Sequence, residues 1–178
     1  MKVQLISKLL LNFFLILSLA SVTTPYSSAQ RIGEEAEMNR LEQQADDLAS
    51  QNDPEGAALA IGKAAMMADL LVSTTEQSTA KNIFQAASHL YRGQELGLRA
   101  LALFQQTGGT PPAPPGVCHY LFQGRNKLNL SMKFLTENSA IPMDDLLNRR
   151  NHLIQKNEEW RELFQGLQEE LACPNISS

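Results

Sequence analysis

The sequence predicts an all-α protein of about six helices arranged in antiparallel hairpins. Three observations carry this. Apolar residues recur at spacings of three and four through almost all of the chain after Gln30. No segment alternates β-branched with polar residues, and no Asn-Gly or Asp-Gly hairpin signal occurs. Proline, glycine and capping residues fall between the periodic segments. The chain has 178 residues, 43% of them hydrophobic, which suits one domain with an ordinary core.

The first 29 residues differ from the rest. Lys2 and Lys8 are the only charges before Arg31, and Leu9 to Ala20 is an apolar run of 12 residues. Such a run is short of the ~20 residues that span a bilayer and suits a secretory leader. Small residues precede Gln30, so cleavage is expected between Ala29 and Gln30, leaving residues 30–178 as a single helical domain. The expected location is therefore outside the cytoplasm: the periplasm, the extracellular space or another extracytoplasmic compartment. No transmembrane span is expected in the mature chain. Export also changes how the two cysteines read. In an oxidising compartment Cys118 and Cys173 have one possible pairing, and a disulfide is expected.

The elements follow in order. A first helix is expected over 33–50, with Met38, Leu41, Ala45 and Leu48 on its apolar side. Asp53-Pro54-Glu55 is a helix start: a cap, a proline at the first position and an acid in the first turn. The second helix, 54–72, is rich in alanine and methionine on most of its circumference, which predicts a central rod with Met66 and Met67 as core filler. Ser73 and Glu76 have capping-box spacing and predict a third helix reaching residue 92. Gly93 and Gly97 predict a tight turn before a fourth helix that stops at Gly108-Gly109. Residues 110–116 hold four prolines and predict a stiff loop. A long hairpin over 117–173 completes the chain. It has a turn near 138–142 and a series Leu146, Leu153, Trp160, Leu167 interrupted by Arg150 and Asn157.

Two hairpins within 30–109 resemble tetratricopeptide repeats. Leu41 stands at the large aromatic position, Ala45 at the small position and Leu48 at the following tyrosine position, while Ala57, Ile61 and Ala64 match the A-x-x-x-F-x-x-A register. Gln44 and Asp69 depart from the pattern. A second copy begins 43 residues later with Phe84, Ala87, Ser88, Tyr91, Ala100, Phe104 and Pro112, with Thr107 in place of the last alanine, against a usual period of about 34. The resemblance spans roughly residues 38–114. It implies a stack of helix pairs whose concave face carries partner contacts, with Asn39, Arg40, Gln43, Lys81 and Gln85 as candidates. An irregular helical bundle is the alternative.

Chemistry is sparse. No phosphate loop, nucleophile elbow, zincin motif or dinucleotide fingerprint occurs. His89, His119 and His152 lie far apart in sequence, so no metal, cofactor or catalytic residue is assigned. A net charge of -4 disfavours nucleic acid. Asp46-Asp47 and Asp144-Asp145 read as solvated helix surface, and Asn175 as a glycosylation acceptor if the source is eukaryotic. The expected function is a non-catalytic scaffold for a protein or peptide partner. A structural bundle in a membrane-associated assembly is the second reading, and a hydrolase with an unrecognised site is the third.

Overall fold

A computed structural model describes residues 28–137 and 144–174. Among them are five α-helices and no strand: α1 Ser28–Ser50, α2 Pro54–Thr74, α3 Ser78–Gln106, α4 Pro115–Thr136 and α5 Asp144–Glu170. Local chemistry sets most of the ends. The Asp53 carboxylate accepts from Gly56 N at 2.9 Å, and Pro54 takes the first turn of α2, where its missing N–H costs nothing. Three helices close with the same six-to-one and five-to-two bonds: Asp53 N to Leu48 O, Gly109 N to Phe104 O, and Cys173 N to Gln168 O. The left-handed residue that each closure needs is Asn52, Gly108 and Ala172.

Successive helices pack side by side, α1 on α2, α2 on α3 and α3 on α4, and α5 then lies against both α3 and α4. One core cluster draws on all five helices. Small residues bring the rods close. Ala57, Ala60, Ala64, Ala65 and Ala68 of α2 and Ala80, Ala86 and Ala87 of α3 are all buried. Where α3 meets α4, a Cβ on Gly93 would lie 3.2 Å from the Gly124 carbonyl oxygen. Three polar side chains tie neighbouring helices to backbone. Ser131 Oγ donates to Ala86 O at 2.8 Å, Asn157 Nδ2 to Leu128 O at 3.1 Å and Arg150 Nε to Leu135 O at 2.8 Å. Arg150 and Asn157, the two breaks in the apolar series of α5, thus bind carbonyls of α4.

The Cys118 and Cys173 sulfurs stand at disulfide distance, with Cα atoms 5.5 Å apart. Cys118 is in the first turn of α4 and Cys173 just beyond α5, so the hairpin is antiparallel and closed at that end. Beside the pair, Ala113 N donates to Leu171 O at 2.9 Å.

Several expectations need correction. The turn expected at 92–97 is absent, and α3 runs unbroken for 29 residues. Gly93 and Gly97 sit inside that helix because neighbours press on them: a Gly97 Cβ would lie 2.9 Å from the Phe164 ring and 3.0 Å from Trp160. The second hairpin is therefore α3 with α4, and Phe84, Tyr91, Ala100 and Phe104 lie along one rod. The Ser73–Glu76 capping box does not form. Ser73 belongs to the last turn of α2 and donates to Leu70 O. The central rod is α3, not α2; Met66 of α2 is 65% exposed. The first helix begins five residues early, so Ala29 and Gln30 fall in its first turn. Of the leader expected over 1–29, residues 1–27 lie outside the described residues, as do the turn at 138–142 and Asn175.

Candidate functional site

On α1, residues 35, 39, 42 and 46 recur at helical spacing and point one way. On α5, residues 149, 152 and 156 do the same. The two rows face each other. Arg149 Nη2 donates to Glu35 Oε2 at 3.0 Å and Nη1 to Asn39 Oδ1 at 3.4 Å. His152 Nε2 lies 3.4 Å from Glu42 Oε1, and Lys156 Nζ donates to Asp46 Oδ2 at 2.8 Å. The pairs advance in the same direction along both helices, so α1 and α5 are parallel. No Cα of α1 lies within 8 Å of one in α5, and side chains alone bridge the gap.

Below the bridges α3 forms the floor. Tyr91 is buried and its hydroxyl donates to Glu42 Oε2 at 2.9 Å. The Arg149 guanidinium sits 5.7 Å over the Phe84 ring. What remains between the walls is a cleft of ≈ 420 Å³, bordered by Asn39, Glu42, Tyr91, Arg149, His152 and Leu153, with Asp145 and Asn148 at its mouth.

Charge in the cleft is closely managed. Glu42 is buried, and its two oxygens face a phenol and an imidazole. Burial, then the neighbouring Glu42 carboxylate, pushes the Tyr91 phenol well above the usual tyrosine range. Burial works against the Lys156 charge, but the Asp46 hydrogen bond and the charges of Asp46, Glu42 and Glu159 outweigh it. The ammonium is held above the usual lysine range. The cleft lining offers donors, acceptors and charges, but no serine, threonine or cysteine. Among the described residues no group of three or more His, Cys, Asp or Glu could hold a metal ion.

Of the five candidate contacts, only Asn39 borders the cleft. Arg40 lies on another side of α1, held by Glu37 through two bonds of 2.7 Å and by Gln44 at 3.2 Å. Those bonds lower the Glu37 carboxyl and raise the Arg40 guanidinium. Gln43 and Lys81 are exposed and Gln85 is half-buried, away from the cleft. The histidines are dispersed: His89 stacks on Phe134 at 5.5 Å, His119 is exposed beside Gln123, and His152 alone borders the cleft. Sequence reasoning missed Glu35, Glu42 and Asp46 on one wall and Arg149, His152 and Lys156 on the other. The available signal was an acidic row on one helix and a basic row on another, each confined to one face.

A second surface is apolar. Leu59, Met66 and Leu70 share the outward side of α2, with Leu59 56% exposed. Among the described residues, α2 is the one helix long and apolar enough to cross a membrane, although its alanine side packs against α1 and α3. No protein-family model, no curated protein and no solved structure matches the chain.

Proposed function

We propose that the protein is an exported, non-catalytic helical scaffold that holds a protein or peptide partner at the face built from α1, α3 and α5. One observation carries this reading: an open cleft with an aromatic floor and charged walls, whose polar groups engage one another, Tyr91 and His152 with Glu42 and Arg149 with Asn39. Such a surface binds and orients. The buried Tyr91 phenol, raised in pKa, is a donor that stays protonated. The apolar leader-like run before residue 21 and the Cys118–Cys173 pair support placement in an oxidising compartment. The tetratricopeptide resemblance is best supported over the α1–α2 hairpin, where Leu41, Ala45, Ala57, Ile61 and Ala64 are all buried between the two rods.

A second reading, a structural subunit of a membrane-associated assembly, is favoured by the exposed Leu59, Met66 and Leu70 row. Site-specific photocrosslinking in the native compartment separates the two. A photoreactive residue at Asn39 is expected to give a partner adduct that the same residue at Leu59 does not. Adducts from Leu59 alone support the second reading. Adducts from neither position overturn both.

A further inference from the structure

We propose that the groove between α1 and α3 is a receptor for a basic amphipathic helix, and that the N-terminal half of α5 is its resident, displaceable occupant. The inference rests on the scaffold reading and gives the partner its chemistry. Polar pairs link α5 to α1: Arg149 to Glu35 and Asn39, His152 beside Glu42, and Lys156 to Asp46. The apolar side of α1, Met38, Leu41 and Ala45, belongs to the core. The backbones of α1 and α5 stay apart over an open cleft.

The two ends of α5 are held by different means. Its C-terminal end is fastened by the Cys118–Cys173 pair and the Ala113–Leu171 bond, with Phe164 and Leu171 fully buried. Its N-terminal half is held by the charge row, by Arg150 and Asn157 to carbonyls of α4, and by Leu153 as its one buried apolar side chain, with Leu146 and Ile154 partly buried against the core. The Arg149–Glu35 and Lys156–Asp46 pairs are partly exposed, so solvent reaches them and a second cation can compete for the same carboxylates. A helix with cations at i and i+7, a hydrogen-bonding side chain at i+3 and an apolar residue at i+4, the pattern of Arg149, Lys156, His152 and Leu153, would satisfy the same acids and the same aromatic floor. Charge complementarity therefore selects a basic helix over an acidic one, because Glu35, Glu42 and Asp46 would repel the latter.

The probe is a fluorescent synthetic peptide of residues 145–161, and the protein is the full exported chain. An R149E/K156E variant sets α5 against Glu35 and Asp46 and frees the groove. It is expected to bind the peptide at least tenfold more tightly than the wild type, with affinity falling as salt rises. A peptide carrying the same two reversals is expected to bind at least tenfold more weakly. Equal affinity of wild type and variant, or of both peptides, overturns the proposal; the second result marks an apolar occupant. Two further measurements need no destabilised protein. Adding peptide to the wild type is expected to speed amide exchange across residues 145–153 and leave 164–171 unchanged, and unchanged exchange in both overturns displacement. A swapped protein, E35R/D46K with R149E/K156E, restores both pairs and is expected to refuse the basic peptide; binding as tight as the variant's counts against the proposal. If Asn39 crosslinks a partner that the peptide does not displace, the scaffold reading stands and this inference fails. If the peptide binds but Asn39 captures nothing, the scaffold reading fails alone.

Discussion

Tyr91 Oη donates to Glu42 Oε2 across 2.9 Å, joining the floor of the cleft to its α1 wall inside the core. The phenol ring is 1% exposed, so the bond has no water to compete with it. Replacing Tyr91 by Phe keeps the ring and leaves a buried carboxylate oxygen without its donor. The expected cost is about 1–3 kcal/mol, read as a lower denaturation midpoint with an unchanged slope. The pH sign follows from the raised phenol. Above about pH 10 the unfolded chain loses that proton while the folded one keeps it, so stability falls as pH rises through the alkaline range. Tyr91→Phe should flatten this fall, and an unchanged alkaline profile would remove Tyr91 as its source.

Gly124 and Gly166 make a controlled comparison. Both are helical, but a Cβ on Gly124 would overlap the Phe164 ring, whereas nothing lies within 4 Å of Gly166. Helix propensity alone favours Ala over Gly by about 0.8–1 kcal/mol at either position. At Gly166 that gain should appear nearly whole. At Gly124 overpacking of about 1–3 kcal/mol opposes it, because Phe164 is fully buried and has no room to withdraw. Thermal melts should therefore move in opposite directions for Gly166→Ala and Gly124→Ala. A stabilising Gly124→Ala would mean that α5 does not seat on α3 and α4 as described.

The same glycines mark where sequence reasoning stopped. Asp53-Pro54 was readable because capping is settled within four residues, and the alanine face of α2 because its period is local. Gly93 and Gly97 look like a turn because glycine in a helix is costly unless something else needs the space. What needs it at Gly97 is Phe164 and Trp160, and at Gly93 it is Leu128 and the Gly124 carbonyl, and no local pattern reports either. The cleft failed for a related reason. Asp46 beside Asp47 reads as solvated surface, and only the tertiary fold brings Lys156 to it, 110 residues on. Met66 was assigned to the core because an apolar circumference does not say which side lacks a neighbour.

The Cys118–Cys173 pair closes a loop with a sequence separation of 55 residues. Chain-entropy reasoning gives such a closure about 4 kcal/mol, so a C118S/C173S double variant should melt well below the wild type. The loss should be uneven. Residues 164–171, next to the pair, should gain amide exchange before residues 80–91 at the centre of α3. Intact mass of the native protein checks the bond itself, which lowers the mass by two hydrogens. Two titratable thiols in the native protein would show that the bond is not formed there.

The burial of His89 predicts a loss of stability on the acid side. Its ring stacks on Phe134 at an interplanar angle of 10°, and its Nδ1 is buried without a hydrogen-bond partner. Burial, reinforced by the charges of Lys127 and Arg92 and opposed by Asp69, holds the imidazole below its ordinary value. The unfolded chain therefore binds a proton at a pH where the folded chain does not. The stability this contributes is present above about pH 6.5 and is lost as pH falls toward the depressed folded value. His89→Phe keeps an aromatic ring against Phe134 and removes the titration. Urea midpoints measured from about pH 7.5 to 5 should fall less steeply in this variant than in the wild type. Parallel slopes would remove His89 as the source of the acid sensitivity.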